Sequence, residues 1–338
     1  MNVLSLFDGI SCARVALDRA GIEVNAYMAS EIDKNAIKVS EKNYPDIIRV
    51  GSVVGLEVEG QVDLLIGGSP CQDLSIAKKE RKGLDGDRSG LFWEFVRIKK
   101  ECNPQWFVLE NVASMPKADR DIITREMGVE PVMFNASLVS AQCRKRLFWT
   151  NIPFDLPEDR GILLKDILEA EVDEKFYTKK EMTTTPNKKE GEFVQLGYFG
   201  AENECKVGGA ALRVYDPKAK APTLASVGHL IKVGRDIGRR LNEDGHRADA
   251  DTSIPYERRI ETRDDEKCGT LTSVAKDNLV VGERIRKLTP IECERLQGLP
   301  DNYTEGVATT NRYKCLGNAF NVDVVAHILG RVKLMYSS

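Results

Sequence analysis

Apolar and polar positions change rhythm twice along this chain of 338 residues. Up to about residue 150, short apolar runs alternate with stretches whose apolar positions recur at helical spacing. Val3 to Phe7 reads as a buried strand and Ser11 to Ala20 as a helix, with Ser11 at its N-cap and Gly21 just past its end. Further strands are predicted at Val24–Ser30, Ile47–Val50, Val62–Ile66, Trp106–Leu109, near Pro131–Leu138 and at Leu147–Asn151. Helices are predicted at Lys34–Asn43, stopped by Pro45, and around Ser89–Lys100. Strands alternating with helices predict an α/β fold with a doubly wound, mainly parallel sheet covered on both faces.

After Pro153 and Pro157 the helical spacing is lost, and glycine, charge and short β-type runs dominate up to about Gly282. Within this irregular, β-rich stretch, Arg213 to Leu224 loosely echoes Arg259 to Leu271, which suggests two hairpin-like units. Helical spacing returns in Thr289–Leu296, and a last helix is predicted from about Phe320 to Met335. The expected organisation is a first domain over 1–156, a smaller domain over 157–282, and a segment 283–338 that returns to the first.

Composition narrows the function classes. With 42% hydrophobic and 30% charged residues the chain reads as an ordinary soluble protein, and no apolar run approaches the roughly 18 residues a membrane span needs. The start, Met1 to Phe7, has no basic leader or small-residue cleavage site, so a cytoplasmic location is expected. The eight cysteines are scattered, with no Cys-x-x-Cys pair and only three histidines, so no metal is expected. Most of these thiols should be small buried hydrophobes. A net charge of −3 argues against nonspecific polyanion binding. Local basic clusters nevertheless occur at Lys78–Lys82, Arg144–Arg146 and Arg284–Lys287.

Chemistry concentrates where strands end. The loop Phe7-Asp8-Gly9-Ile10-Ser11 joins the first strand to its helix, where backbone N–H groups approach a ligand and Gly9 permits close contact. Glu31 ends the second strand about 20 residues on, where an acidic residue bonds ribose hydroxyls. Cys71 follows the apolar run Val62–Ile66 through Gly67, Gly68, Ser69 and Pro70, with Lys78, Lys79, Arg81 and Lys82 close behind. A positive field lowers a thiol pKa from about 8.5 and raises the thiolate fraction, which suits a nucleophile. Glu110 ends another predicted strand at the same edge, and a thiol and a carboxyl converging on one pocket suit nucleophilic attack with proton donation. In Gln142-Cys143-Arg144-Lys145-Arg146, alternation puts Arg144 and Arg146 on one side, as an anion or carbonyl clamp.

In order, Phe7-Asp8-Gly9, Glu31, Gly68-Ser69-Pro70-Cys71-Gln72, Glu110-Asn111-Val112, Gln142-x-Arg144-x-Arg146, Arg286-Lys287-Leu288-Thr289-Pro290-x-Glu292, Leu296-Gln297-Gly298 and Gly317-Asn318-Ala319 resemble the cytosine-5 DNA methyltransferases across nearly the whole chain. Phe7–Ile10 and Gly67–Ile76 are particularly similar to the animal de novo branch, while the short chain and variable middle look more like a prokaryotic or phage enzyme. The resemblance implies S-adenosyl-L-methionine held by Phe7, Asp8, Gly9, Ile10, Ser11, Glu31, Ile32, Val53, Pro70, Asn318 and Ala319. It further implies Cys71 as nucleophile on carbon 6 of a flipped cytosine and Glu110 on the ring nitrogen and amine. Arg144 falls on the cytosine carbonyl, and Arg146 on the strand or a phosphate. The partner it implies is double-stranded DNA, contacted by Ser75, Lys78, Arg81 and Arg88 in a mobile loop. In the middle domain, Arg239, Arg240, Arg258 and Arg259 are candidate phosphate or guanine contacts. A nucleoid-associated monomer is expected, alongside a cognate restriction enzyme. Ser52 stands where the family often has an acidic residue on the adenine amine, and Ser11, Cys12 and Ala13 replace usual glycines. Two other substrates or roles remain open, a transfer RNA or a silent DNA-binding paralogue. An oxidoreductase is disfavoured by the missing glycine-rich fingerprint.

Overall fold

The computed structural model describes residues 1–70, 89–177, 182–183, 195–199, 214–215, 232–240, 251–255, 257–263, 267–271, 279–281 and 285–336. Strands β1 (Asn2–Leu6), β2 (Ala26–Ser30), β3 (Ile48–Gly51), β4 (Leu64–Gly68), β5 (Trp106–Val112), β6 (Val132–Asn135), β7 (Gln142–Cys143) and β8 (Lys145–Thr150) are interleaved with helices α1 (Cys12–Ala20), α2 (Lys34–Asn43), α3 (Phe92–Cys102) and α4 (Lys117–Met127). All but β7 form one seven-stranded sheet in the order β3-β2-β1-β4-β5-β8-β6. Pairing is parallel from β3 through β5, while β8 runs antiparallel to both β5 and β6.

The period of two along these strands explains how both faces are filled. Val3, Leu64, Ile66 and Val108 join one buried cluster together with α1 and α2, while Leu4, Leu6, Leu65, Phe107 and Leu109 join a second together with α3 and α4. The first cluster is completed by the C-terminal helices α5 (Pro290–Leu296), α6 (Thr309–Asn318) and α7 (Val322–Tyr336), with α7 lying along α1. The doubly wound fold predicted from the alternation is the one observed.

Several local features differ from expectation. Trp106–Leu109 does not end at Glu110, because β5 lies between β4 and β8 and its backbone keeps pairing as far as Val112. Gly67 and Gly68 are likewise strand residues rather than loop residues. Ser11 occupies the N-cap position with φ +60° but makes no capping bond, because its hydroxyl is drawn to the Asp8 carboxyl and to Ser40. Gly21 does close α1, in the left-handed conformation. Helices α4 and α6 were not anticipated, since each buries only a narrow apolar stripe, Ile123 and Met127 in one and Tyr313, Cys315 and Leu316 in the other.

In the middle of the chain, β9 (Met182–Thr183), β10 (Gln195–Phe199) and β11 (Val214–Tyr215) form a small sheet. A second, four-stranded sheet holds β12 (Lys232–Arg239), β13 (Glu257–Arg263), β15 (Leu279–Val281) and β16 (Ile285–Lys287). The echo predicted across Arg259–Leu271 does not fold as a hairpin. β13 pairs with β12, while β14 (Cys268–Gly269) leaves to pair in parallel with β7. Most of the other half of the echo, 213–224, lies outside the described residues.

Arg286 and Glu292 form a buried two-point ion pair, with N–O distances of 2.8 and 2.7 Å. Glu292 also closes a capping box with Thr289 at the start of α5, and accepts from the Glu169 backbone at 3.0 Å. Removing one partner of such a pair costs about 3–5 kcal/mol, because the other charge is left buried alone. This motif therefore fixes how the chain returns to the sheet.

Candidate active site

The carboxyl ends of β1, β2, β4 and β5 form the edge at which doubly wound sheets collect ligands. There the turn Phe7–Ser11 is unusually constrained: Phe7, Gly9 and Ser11 all have positive φ, at 57°, 61° and 60°. Glu31 ties this turn to β2, its Oε2 accepting from Gly9 N at 2.8 Å and its Oε1 from the N–H groups of Ile32 and Asp33 at 2.8 Å each. Oε1 is thus fully engaged, while Oε2 keeps a second lone pair for a ligand hydroxyl.

Beneath the turn sits a buried polar cluster. Asp8 accepts from Tyr27 Oη at 2.7 Å and from Ser11, and burial pushes its carboxyl up from the ordinary range. Asp8, Ile10, Ser11 and Val53 were expected at a cofactor. Their side chains instead lie in the interior, so only their backbones can contribute directly. Phe7, Gly9, Glu31 and Pro70 are partly exposed and Asn318 is exposed. Ile32 and Val54, following β2 and β3, remain 72% and 60% exposed. A partly exposed glycine turn, a carboxylate beside it with acceptor capacity left, and uncovered apolar side chains fit an adenosine-type methyl donor. Ser52 is exposed and its hydroxyl accepts from Val54 N at 3.1 Å, which makes a short local turn.

Glu110 stands directly opposite Gly68 in the β4–β5 register. Its Oε1 lies 2.8 Å from Arg146 Nε, and both side chains are largely buried. Glu110, Arg144, Arg146, Phe134, Phe320 and Asn321 are among the residues lining one small cavity. Asn111 turns to the other side of the strand and donates to Ser69 Oγ at 3.0 Å, which anchors the chain just before Cys71. Cys71, Ser75, Lys78, Arg81 and Arg88 lie outside the described residues. Pro70 lies two residues past the end of β4, at the carboxyl edge of the sheet.

The two arginines line the same cavity but are engaged differently. Arg146 faces Glu110, whereas the Arg144 guanidinium is held by backbone carbonyls of Leu271, Gly317 and Ala319 at 3.0–3.3 Å. Arg144 was expected at a substrate carbonyl and Arg146 as support. The geometry leaves Arg146 beside the carboxyl, because the C-terminal segment returns across Arg144. Ala319 is buried and supplies one of these carbonyls. The sequence reading missed Phe320, Asn321 and Tyr27. Phe320 is the residue after Gly317-Asn318-Ala319, so that motif was the available signal.

Gly68 explains why no side chain is tolerated here. A Cβ would meet Phe320 Cε1 at 2.8 Å and Glu110 Oε2 at 3.1 Å, and one on Gly67 would meet the Leu6 carbonyl at 2.7 Å. Gly68→Ala is expected to displace the Glu110 carboxyl and lower the single-turnover methyl-transfer rate by about 10-fold or more, with overpacking costing about 1–3 kcal/mol in unfolding experiments. A wild-type rate would show that the carboxyl's position is unimportant.

Among the candidate DNA contacts, the β12–β13 register sets Arg239 opposite Glu257, Arg258 opposite Gly238 and Arg259 opposite Ile237. Arg240 donates from Nε to the Ile254 carbonyl at 3.0 Å. Of the cysteines, Cys12, Cys268, Cys293 and Cys315 are buried, and burial pushes the Cys12 and Cys293 thiols up, away from reactivity. Among the described residues no cluster of His, Cys, Asp or Glu could hold a metal, and no helix is long and apolar enough to cross a membrane.

Comparison with known proteins identifies the family and the fold. The orphan methyltransferase M.SPRI of Bacillus phage SPR is 26% identical, with 97% of this chain and 96% of that protein covered. The type II methyltransferase M.HhaI of Haemophilus parahaemolyticus is also 26% identical, over 97% and 93%. Among solved structures, the S. pombe Dnmt2 methyltransferase shares the fold, with a TM-score of 0.59, 15% identity and 99% of both chains covered. The Entamoeba histolytica methyltransferase EhMeth shares it too, with a TM-score of 0.58, 15% identity, and 100% of this chain and 99% of that one covered. Residues 1–334 match the family described as C-5 cytosine-specific DNA methylase. The chain belongs to that family, whose methyl donor is S-adenosyl-L-methionine.

Proposed function

We propose that the protein is a site-specific DNA (cytosine-5-)-methyltransferase in which Cys71 is the nucleophile. The observation that carries this reading is the Glu110–Arg146 pair, held at 2.8 Å across the strand from Gly68, at the point where the chain leaves the sheet for Cys71. A cytosine buried in duplex DNA is reached by rotating the nucleotide out of the stack, at a cost of a few kcal/mol.

In the proposed reaction the Cys71 thiolate adds to carbon 6, and the electrons of the carbon 5–carbon 6 double bond move to carbon 5. Glu110 hydrogen-bonds the ring nitrogen and the exocyclic amine, which makes the ring more electrophilic. Arg146 orients that carboxyl and is positioned to donate to the carbonyl oxygen of the same ring. S-adenosyl-L-methionine supplies an electrophilic methyl group on its sulfonium. Carbon 5 takes that methyl as the carbon–sulfur bond breaks to leave a neutral thioether, its proton then passes to solvent water, and the electron pair of that C–H bond expels the thiolate. Glu31 and the Phe7–Ser11 turn would hold the nucleoside end of the donor, and Asn318 would serve its methionine end.

In this reading residues 1–156 and 283–338 form the catalytic unit, and 157–282 read the DNA. Ser75, Lys78, Arg81 and Arg88 bind the backbone around the flipped base, while Arg239, Arg240, Arg258 and Arg259 serve the recognition region. The experiment is bisulfite sequencing of plasmid from cells expressing the protein. Protected cytosines in one sequence context support the reading and reveal that context. Unprotected plasmid with methylated cytosine in transfer RNA would move the same chemistry to RNA, and protection by neither would indicate a silent paralogue.

A further inference from the structure

Residues 267–271 leave the middle region and are stitched to the loop that precedes Arg144. β14 pairs with β7, Cys268 N donates to the Ala141 carbonyl at 2.8 Å, and Thr270 Oγ1 donates to the Cys143 carbonyl at 3.0 Å. Lys267 reaches the Asp159 carboxyl at 2.9 Å and the Ser137 carbonyl. The next carbonyl along this segment, that of Leu271, accepts from Arg144 Nη1 at 3.3 Å. The same guanidinium bonds the Gly317 carbonyl from both Nη atoms at 3.3 Å and the Ala319 carbonyl at 3.0 Å.

Three stretches distant in sequence thus meet on one side chain that is only 4% exposed. A planar fork of donors suits such a junction, whereas a lysine ammonium cannot span three carbonyls in these directions. The residue after Ala319, Phe320, packs against Gly68, so whatever fixes 317–319 also fixes one wall of the active-site cavity.

We infer that Arg144 is a positioning residue that couples the DNA-reading region to the donor site, by holding Leu271 and the Gly317–Ala319 segment in one register. This rests on the reading of Asn318 as a residue of the donor site. Displacement of 267–271 on DNA binding is transmitted through Arg144 to Asn318 and Phe320. By reciprocity, a bound donor orders the docked strand for DNA.

The test uses Arg144→Lys in the full chain, with S-adenosyl-L-homocysteine binding measured by calorimetry without DNA. The expected result is affinity weaker by about 10-fold, equivalent to about 1.4 kcal/mol. The single-turnover rate at saturating donor is expected to fall far less than the affinity. Arg146→Lys is expected to give the reverse split, because its side chain faces Glu110. Should Arg144→Lys fail to fold, Thr270→Val loosens the same junction while keeping side-chain shape, and is expected to weaken binding several-fold, by about 1 kcal/mol. Wild-type affinity in either folded variant overturns the inference, as does a large loss of rate with unchanged affinity, which would put Arg144 on the base. Failure of the broader reading looks different: wild-type protein would bind the nucleoside yet leave DNA unmethylated.

Discussion

Replacing Cys71 by alanine is expected to abolish methyl transfer while leaving S-adenosyl-L-methionine binding largely intact. Without the thiolate no electron density is delivered to carbon 5, which in neutral cytosine is a poor nucleophile towards a sulfonium methyl. The proposed donor site rests on other elements, the Phe7–Ser11 turn and Glu31, which are tied to each other rather than to that sulfur. Loss of a covalent nucleophile removes the route rather than slowing it, so the residual rate should lie at the limit of detection in a tritiated-methyl assay. Turnover near the wild-type rate would exclude Cys71 as the attacking group. Loss of calorimetric donor binding as well would mean that the substitution had disturbed the whole edge of the sheet.

Glu110→Gln is the second large effect, with an expected fall of about 10² to 10⁴ in the single-turnover rate, the span usual for a positioned acid or base. Glutamine keeps the shape of the side chain and an oxygen that can accept from Arg146, so the cavity should persist. What is lost is the exchangeable proton and the charge that holds the arginine. The expected signature is therefore a lower rate with donor affinity close to wild type, and a lowered melting temperature because the Arg146 charge is left uncompensated. An unchanged rate would make the carboxyl a purely structural partner of Arg146.

The parts of this site that were legible in the sequence are those governed by period and by edge. The short apolar runs Val3–Phe7, Val62–Ile66 and Trp106–Leu109 predicted strands, and a parallel sheet gathers their carboxyl ends, which assigns Glu31 and Glu110 to one edge. The roles of Gly67 and Gly68 were not legible. Their need for zero side-chain volume comes from Leu6, Phe320 and Glu110, which approach them from elsewhere in the chain. Nor was the division of labour between the two arginines. Alternation gave them one side, but only the return of Gly317–Ala319 decides which one is consumed by carbonyls.

Helices α4 and α6 were missed for a simpler reason. Each has a thin buried stripe on an otherwise charged surface, and burial against neighbours rather than local pattern selects the helix. The middle region shows the opposite failure. Its apparent repeat reads as local hairpins, whereas β14 makes its pairing more than a hundred residues upstream with β7, a contact no local pattern encodes. That contact joins the region proposed to read DNA to the short strand that immediately precedes both arginines.

The most direct measurement uses duplex DNA carrying 5-fluorocytosine at the target position, incubated with the protein and S-adenosyl-L-methionine, then denatured and analysed by peptide mass. Fluorine replaces the proton that must leave carbon 5, so after addition and methylation the thiolate cannot be expelled. The predicted result is a stable protein–DNA adduct in which Cys71 carries the methylated, fluorinated ring through carbon 6. An adduct on another residue, or none under conditions in which ordinary cytosine in the same sequence is methylated, would contradict the account.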